Sequence, residues 1–304
     1  MKILVFGHKG WIGNMMCNIL KEKNFNFLCS TSRANNKNNV ENEILEYKPT
    51  HIFSFIGRTH GTIGNKKYST IDYLEQKGKI KENINDNLFS PLVLALLAKK
   101  HNIHFTYLGT GCIFKFDEEH LISDEKTGFT EDSLPNFFGS EYSIVKGYTD
   151  QLMHLFNDTV LNLRIRMPIT DMLEPRNFIS KITNYEYICS VPNSMTVLDE
   201  LLPYLVKLAG KEITGTINFT NPGLISHNEI LEMYKEIVDP NFTWKNFTPE
   251  EQAKILEADR SNNCLDTKLL TYYFPKINNI KDSVKKTLIR MKYKLDNKNL
   301  NINN

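Results

Sequence analysis

The chain has 304 residues, which is long enough to bury a large core in one domain or two closely joined domains. It carries 37 Lys and Arg residues against 35 Asp and Glu residues, a balance that gives no reason to expect nucleic acid or an anionic membrane as a partner. No segment has the apolar length of a membrane helix, and we expect no secretory signal because Met1 leads directly into a predicted strand.

The first predicted elements form a cofactor site. Residues 2–6 are an uninterrupted apolar run, as in a buried parallel strand, and residues 14–22 predict a helix. Between them the glycine spacing is Gly-x-x-Gly-x-x-Gly, which is similar to that of extended short-chain dehydrogenases/reductases. Such a turn brings the backbone to a pyrophosphate at the helix N-terminus. The cofactor ligands expected here are Gly7, Lys9, Gly10, Trp11, Ile12 and Gly13.

The second predicted strand, residues 25–29, bears on which dinucleotide binds. An NAD site usually has Asp or Glu after this strand, to hold the ribose 2′-hydroxyl. Here the strand is followed by Ser30-Thr31-Ser32-Arg33. No carboxylate in this run would repel a 2′-phosphate, and Ser32 and Arg33 could bind one. NADPH is therefore favoured over NADH; the alternative is that Arg33 is only a solvated loop charge.

The alternation of helices and strands continues along the chain. We predict helices over residues 41–47 and 85–101, a helix around Tyr142, and strands over residues 51–56, 103–108 and 160–165. This order indicates an α/β fold with a doubly wound parallel sheet of the Rossmann kind. Ligands then bind at the carboxyl ends of the strands. Within the predicted helix over residues 85–101, Asn87 is either a site residue or a helix-surface amide.

Three regions are expected from the change in pattern. Residues 1–167 would form the NADP(H)-binding domain, and residues 168–291 mainly a smaller C-terminal substrate-binding lobe with helices over 197–208 and 226–237. Residues 292–304 would be a disordered tail because the segment is polar and rich in Asn. The long polar segment 115–140 is a candidate lid over the substrate.

Cysteine usage predicts no metal site. The five cysteines are scattered without metal-ligand spacing, and an odd, dispersed set suits a reducing cytoplasm. They are Cys17, Cys29, Cys112, Cys189 and Cys264.

An acid–base pair is expected at Tyr142 and Lys146. Residues four apart lie on one face of a helix, and a nearby ammonium lowers the pKa of a phenol. Such a pair can donate a proton to a carbonyl oxygen while a hydride reaches the adjacent carbon. Thr110 follows the predicted strand 103–108, at the position where short-chain reductases place a hydroxyl that bonds the reacting oxygen.

Longer runs extend the resemblance over nearly the whole chain. They include Gly10-Trp11-Ile12-Gly13, Thr110-Gly111-Cys112-Ile113-Phe114, Pro175-Arg176-Asn177-Phe178-Ile179, Pro192-Asn193-Ser194-Met195-Thr196, Asn218-Phe219-Thr220-Asn221-Pro222-Gly223 and Arg260-Ser261-Asn262-Asn263. Together these runs resemble the bifunctional UDP-4-keto-6-deoxyglucose 3,5-epimerase/4-reductases of UDP-L-rhamnose synthesis. The main departure lies between residues 58 and 84.

The resemblance implies a reaction and its residues. Cys112 and Lys181 match the acid and base that invert C3 and C5 beside the 4-ketone, and Tyr142 would protonate O4 during reduction by NADPH. The residues expected to hold UDP are Asn177, Asn193, Arg260 and Asn262. A separate UDP-glucose 4,6-dehydratase would supply the ketone, and a homodimer is compatible with the family.

Two other readings stay open at this point. A reductase similar to dTDP-4-dehydrorhamnose reductase would act on an already epimerised 4-keto sugar and would need neither Cys112 nor Lys181. A nonenzymatic dinucleotide-binding regulatory subunit could use the same fold. The joint presence of Thr110, Tyr142 and Lys146 argues against the regulatory subunit.

Overall fold

The computed structural model describes residues 1–122 and 124–302, with side chains described up to residue 297. Strands and helices alternate along most of the chain. The strands are β1 (Lys2–Phe6), β2 (Asn26–Cys29), β3 (His51–Ser54), β4 (Gly61–Ile63), β5 (Lys66–Tyr68), β6 (His104–Thr110), β7 (Val160–Ile165), β8 (Pro168–Ile169), β9 (Tyr187–Ile188), β10 (Thr196–Val197), β11 (Gly215–Asn218) and β12 (Lys245–Asn246). The α-helices are α1 (Trp11–Glu22), α2 (Lys37–Tyr47), α3 (Ile80–Ile84), α4 (Ser90–Lys100), α5 (Glu141–His154), α6 (Phe178–Ile182), α7 (Leu198–Gly210), α8 (His227–Ile237), α9 (Pro249–Ala253), α10 (Lys268–Tyr273) and α11 (Ile280–Ile302).

A parallel sheet of six strands forms the centre of the molecule. Its order is β11-β7-β6-β3-β1-β2, and every neighbouring pair runs parallel. Strand β1 has β2 on one side and β3 on the other, so the order in which successive strands are added to the sheet reverses at β1. In such sheets ligands bind outside the carboxyl ends of the strands at this switch point. The glycine turn after β1 lies there.

Apolar cores cover both faces of this sheet, as expected for a parallel sheet buried by crossover helices. On one face, Ile3 and Val5 of β1 pack with α1 and α7. On the other face, Leu4 and Phe6 of β1 pack with α2 and α4. Alternate residues of one strand thus point into different cores. The expectation of a doubly wound α/β sheet is confirmed.

A smaller lobe is built from later parts of the chain. It has its own core, which includes Ile179 of α6, Ile230 of α8 and Val284 of α11. Two short parallel pairs, β8 with β10 and β9 with β12, belong to it. The C-terminal helix is fixed to the lobe because Arg290 and Lys294 both bind the carboxylate of Asp171.

The expected single boundary at residue 167 is corrected by α7, β11 and α10. Leu201 of α7, Ile217 of β11 and Leu270 of α10 pack in the same core as β1, and β11 pairs with β7 at the sheet edge. These elements belong to the sheet although they follow parts of the lobe in sequence. A strand can pair with an open sheet edge that lies far away in sequence. The order of the elements along the chain therefore does not reveal that β11 pairs with β7.

In the segment 292–304, which the sequence predicts to be a disordered tail, the structure describes helix for most residues. Helix α11 continues to Ile302, and residues 303 and 304 lie outside the described residues. Leu295 packs against the lobe core, and Lys292 bonds Asp296 one turn later at 3.2 Å. Leu295 continues the helical spacing of Leu288 and Met291 in the lobe core. The polar composition of the segment obscures this spacing, although one apolar side chain per turn is enough to hold a helix against its neighbours.

Two connecting segments pack near the carboxyl ends of the strands. The candidate lid, residues 115–140, is anchored there: the Phe129 amide donates to the Cys264 carbonyl at 2.8 Å, and the Phe129 ring is 1% exposed. The segment 57–79, which contains β4 and β5, instead packs over Tyr142. It forms one cluster with Tyr142 through Tyr73 and Leu74.

The predicted helix over residues 85–101 is divided in the structure. A π-helical turn, Asn85–Phe89, joins α3 to α4, and such turns occur frequently at functional sites. Within the described residues, every helix is too short or too polar to cross a bilayer.

Candidate active site

The glycine turn fits a dinucleotide phosphate. Gly7 has a φ of +77°, and a Cβ there would lie 2.7 Å from the Phe55 carbonyl carbon, so only glycine fits. A Cβ on Gly13 would clash with the Gly7 carbonyl oxygen. Gly10 caps α1 without a side chain, which leaves the first N–H groups of that helix open toward a phosphate.

The end of β2 differs from the sequence expectation because a carboxylate lies beside it. Glu43 of α2 accepts a hydrogen bond from the Ser30 hydroxyl at 2.6 Å and one from the Thr31 amide at 3.0 Å. Burial alone would raise the pKa of Glu43, but these hydrogen bonds outweigh it and lower the pKa. Glu43 is therefore an ionised anchor for the loop, while Arg33 is exposed beyond it.

Two elements, β6 and α5, bring Thr110, Tyr142 and Lys146 together. Thr110 is the last residue of β6, and Tyr142 and Lys146 lie in the first turns of α5; all three are buried, with exposures of 7%, 8% and 4%. The start of α5 is fixed by Ser140, whose side chain accepts from the Ser143 amide at 3.1 Å. The Ser143 hydroxyl donates to the Cys112 carbonyl at 2.8 Å and ties α5 to the turn after β6.

The pKa of Tyr142 is shifted in the direction opposite to the expectation. Burial raises it, the nearby Cys112 thiolate raises it further, and a hydrogen bond with Thr110 acts in the other direction. Tyr142 is consequently a neutral phenol at physiological pH. A protonated phenol suits a group that donates a proton to a ketone during reduction.

Lys146 bonds a different phenol. Its ammonium donates a hydrogen bond to the Tyr107 hydroxyl and lies 4.6 Å from the centre of that ring. Burial lowers the pKa of Lys146 to about 8, and Asp150 and Cys112 oppose the shift. The group is still mainly protonated near neutral pH, so it supplies a buried positive charge one helical turn from Tyr142.

We expect Lys146→Met to be more stable than the wild-type protein at pH 7. A fall in pKa from 10.5 to about 8 means that the charged ammonium lowers the free energy of unfolding by roughly 3 kcal/mol. This cost is complete below pH 8. Between pH 8 and 10.5 the unfolded chain binds the extra proton, so the wild type gains stability as pH rises and the difference closes.

Urea unfolding at pH 7 and pH 9.5 measures this difference, with the exposed Lys211→Met as the matched control. A variant that is less stable than wild type at both pH values would show that the bond to Tyr107 outweighs the cost of burying the charge.

Cys112 and Lys181 lie close enough to interact electrostatically. Cys112 follows β6, and its amide donates to the Thr110 hydroxyl at 3.1 Å. Lys181 lies in α6 of the lobe. Burial lowers the pKa of Lys181, Arg260 and Arg176 lower it further, and the charge of Cys112 raises it. A lysine with a lowered pKa is a suitable base, and a thiol is a suitable proton donor.

Two expected UDP ligands have internal roles instead. Asn177 is fully buried and caps α6; its amide nitrogen donates to the carbonyls of Thr170 and Met172 at 2.9 Å each. Asn193 is also fully buried and accepts from Arg166 at 2.6 Å. The amide donors of both residues are already used within the protein, and their role in holding UDP stays a prediction.

The other two expected UDP ligands are accessible from the cleft. Arg260 pairs with the carboxylate of Asp72 at 2.5 Å, which joins the segment 57–79 to the C-terminal part of the chain. Asn262 is partly exposed, and its side-chain oxygen accepts from Asn193 at 2.8 Å. Arg176, which the sequence left as a weaker candidate, pairs with Glu174 at 2.8 Å and lies over the Trp11 ring.

Several site residues were missed from sequence. Tyr107 holds Lys146, and the Glu75 carboxylate accepts from the Glu141 amide at the start of α5 at 2.9 Å. His60 lies among cations: burial lowers its pKa first, and the charges of Arg176 and Arg58 lower it further. The weak periodicity of the segment 57–79 gave no signal for His60 or Glu75.

Asn87 is not a helix-surface residue. It is 1% exposed in the π-helical turn, and its side chain bonds both the amide and the carbonyl of Arg58, at 2.8 and 2.9 Å. It therefore fixes the loop that follows β3 beside the cofactor turn.

The fold and this site define a nucleotide-sugar-modifying class of Rossmann enzymes. The model of the NAD dependent epimerase/dehydratase family matches residues 3–170, and the chain belongs to that family. A crystal structure of UDP-rhamnose synthase from Acanthamoeba polyphaga mimivirus superimposes with a TM-score of 0.91 at 53% identity, covering 95% of this chain and 99% of that one.

Two Arabidopsis thaliana relatives extend the comparison. A bifunctional dTDP-4-dehydrorhamnose 3,5-epimerase/dTDP-4-dehydrorhamnose reductase is 41% identical over 282 residues, which is 92% of this chain and 90% of the relative. A trifunctional UDP-glucose 4,6-dehydratase/UDP-4-keto-6-deoxy-D-glucose 3,5-epimerase/UDP-4-keto-L-rhamnose-reductase is 40% identical over 285 residues, which is 93% of this chain but 41% of the relative. The family resemblance and the expectation of an enzyme are confirmed.

Proposed function

We propose that this protein converts UDP-4-keto-6-deoxy-D-glucose to UDP-L-rhamnose, by 3,5-epimerisation followed by NADPH-dependent reduction of the 4-ketone. The observation that carries the proposal is that residues for both reactions share one cleft. Tyr142 packs in one cluster with Cys112, and the charge of Cys112 acts on Lys181. The activities named for the mimivirus and Arabidopsis relatives support the same assignment.

The epimerisation half uses the ketone as its activating group. A 4-ketone acidifies the protons on C3 and C5, so a base can remove each one to give an enediolate. Lys181, with its lowered pKa, removes the proton on one face of the sugar. Cys112 on the other face donates a proton back to the carbon and inverts its configuration.

The reduction half takes place at O4. A nicotinamide dinucleotide held by the glycine turn supplies the hydride when it is bound. The neutral Tyr142 phenol donates the proton to the developing alkoxide, and the Thr110 hydroxyl bonds the same oxygen. The Lys146 ammonium stabilises the phenolate that remains.

We propose NADPH as the preferred reductant. Arg33 and Lys37 line a cavity of about 450 Å³ at the start of α2, together with three asparagines. Two cations and several amides there suit a 2′-phosphate. Glu43 uses its carboxylate oxygens to hold Ser30 and Thr31, so these oxygens bind the loop and not a ribose hydroxyl.

We expect Arg33→Ala to raise the KM for NADPH roughly tenfold, because one charge-assisted hydrogen bond to the 2′-phosphate is lost. The KM for NADH should stay the same, since NADH lacks that phosphate. Initial-rate kinetics with both cofactors test this, with the exposed Lys21→Ala on α1 as control. An equal increase for the two cofactors would leave Arg33 as a solvated loop charge.

An NMR time course in heavy water tests the complete reaction. With UDP-4-keto-6-deoxyglucose and NADPH we expect a rhamno-configured product that carries deuterium at C3 and C5. Reduction without deuterium at these carbons would identify a reductase that acts on an already epimerised ketone. Absence of both turnover and exchange would favour a regulatory dinucleotide-binding subunit.

We further propose that a separate 4,6-dehydratase supplies the ketone. The trifunctional Arabidopsis relative carries that activity in its name, and this chain spans 41% of its length. The site contains side chains for epimerisation and for reduction, the two steps that follow formation of the 4-ketone. The Cys112–Lys181 pair acts only on carbons beside a ketone. A reducing cytoplasmic location is supported by the free state of all five cysteines.

We propose a homodimer through α4 and α5. Large apolar side chains are exposed on these helices, including Leu96 at 49%, Tyr148 at 61% and, just after α5, Leu155 at 71%. Apolar surface of this kind is usually covered by a partner. Light scattering after gel filtration should give a dimer, and Leu96→Glu combined with Tyr148→Glu should give a monomer. A wild-type monomer at all concentrations would contradict the proposal.

A further inference from the structure

Two arginines at the end of β7 are buried, but only one has a carboxylate partner. Arg164 is fully buried and binds Asp150 through two bonds of 2.9 and 2.6 Å. Arg166 is 1% exposed, and its five hydrogen bonds all go to neutral acceptors. A buried guanidinium without a carboxylate is costly, so a functional reason for it is expected.

The acceptors of Arg166 surround the turn that carries Cys112. The Arg166 guanidinium donates to the Gly111 carbonyl at 3.0 Å, and to the carbonyl and hydroxyl of Ser261 at 2.9 and 2.8 Å. Its stem packs against Gly111, where a Cβ would lie 3.0 Å from Arg166 Cγ. Arg166 therefore contacts Gly111, the residue before Cys112. It also bonds Ser261, the residue after Arg260.

The electrostatic interactions of Arg166 also involve Cys112. Burial lowers the pKa of Arg166, and interactions with Cys112 and Cys264 raise it. When the thiol gives its proton to the sugar carbon, it becomes a thiolate, and a fixed positive charge close by lowers the free energy of that state.

We propose that Arg166 is a positioning residue for the epimerisation half of the reaction. It holds the Gly111–Cys112 turn in place and supplies the permanent positive charge behind Cys112. This inference rests on the proposed epimerase function. It assigns Arg166 no contact with the reducing group, since its bonds lead to Gly111, Asn193, Ser194 and Ser261 and not to Thr110, Tyr142 or Lys146.

The test separates the two halves of the reaction in three variants, Arg166→Gln, Arg166→Lys and Arg164→Gln. Epimerisation is measured as deuterium incorporation at C3 and C5 without NADPH. Reduction is measured as NADPH oxidation with an already epimerised UDP-4-keto-6-deoxy sugar. The alkylation rate of Cys112 by iodoacetamide at one fixed pH, followed by mass spectrometry, reports on the thiolate directly.

We expect Arg166→Gln to lower deuterium incorporation and alkylation at Cys112 by roughly tenfold or more, and to change reduction by less than about threefold. Arg166→Lys keeps the charge and should restore most of both lost rates. Arg164→Gln removes an already neutralised cation, so it should lower both half-reactions to the same extent, through stability alone.

Equal losses in exchange and reduction for Arg166→Gln would overturn the inference, as would an Arg166→Lys variant no better than the Gln variant. If Arg166→Gln does not fold, the lysine variant decides: exchange within about threefold of wild type supports the role of the charge, and a larger loss refutes it. Failure of the proposed function is seen separately, because wild-type protein would then show no exchange at C3 or C5.

Discussion

Tyr142→Phe should stop reduction and leave epimerisation running. The variant lacks only the phenolic proton donor, and loss of a general acid typically costs 10²–10⁴-fold, so we expect NADPH oxidation to fall by roughly a thousandfold. The phenyl ring keeps its packing against Tyr73 and Leu74. Deuterium should still enter C3 and C5, because Cys112 and Lys181 remain in place, and the epimerised 4-ketone should accumulate.

The same NMR experiment measures both outcomes. Tyr148→Phe is the matched control, since it removes a hydroxyl from an exposed position of the same helix and should change neither rate. A Tyr142→Phe variant that still oxidises NADPH at more than a tenth of the wild-type rate would remove Tyr142 from its assigned role. Loss of exchange together with reduction would instead place Tyr142 in both halves of the reaction.

Cys112→Ala should show the opposite pattern. Without the thiol, the acid that returns a proton on the other face is missing, and we expect formation of sugar inverted at C3 or C5 to fall by at least about a hundredfold. Reduction of an already epimerised ketone should continue, because Thr110, Tyr142 and Lys146 do not depend on the thiol side chain. The Kd for NADPH should be unchanged, since Cys112 lies outside the glycine turn.

Cys189→Ala serves as the control, because it removes a different free thiol, directly after β9 of the lobe. Cofactor binding by fluorescence titration shows that both variants are folded. If Cys112→Ala makes the normal product at the normal rate, the thiol is a packed small residue and the proton must come from another group.

The cofactor turn and the reducing residues could be predicted from sequence because their signals are local. The glycine spacing depends on a tight turn whose geometry is set within seven residues, and Gly7 and Gly13 occupy positions that only glycine can take. The spacing between Tyr142 and Lys146 depends only on the pitch of one helix. A resemblance over many runs then added Cys112 and Lys181, whose positions come from different elements.

The partners of these residues could not be predicted, because they depend on how elements pack. Lys146 lies on the same helix as Tyr142 but bonds Tyr107, a choice made by the packing of α5 on β6. The Asp72–Arg260 pair joins positions 188 residues apart. Asn177 and Asn193 matched the pattern of polar donors, yet both are saturated with internal hydrogen bonds, which only the folded chain reveals.

Electrostatics explains the remaining error. The sequence expectation gave Tyr142 a lowered pKa, since it counted the neighbouring cation and not the loss of water. In the folded protein, burial is the largest influence on both Tyr142 and Lys146. It favours the neutral form of each group, so it raises the pKa of a phenol and lowers that of an ammonium.

The return of α7 and β11 to the sheet makes the protein difficult to divide. A fragment that ended at residue 167 would leave the edge of β7 unpaired and the apolar face of β1 without α7, so it should aggregate and not bind a dinucleotide. The chain passes repeatedly between the sheet and the lobe. Cys112 follows β6 of the sheet, whereas Lys181 lies in α6 of the lobe. Cooperative unfolding should therefore abolish both half-reactions together, and neither activity could be recovered from one half of the chain.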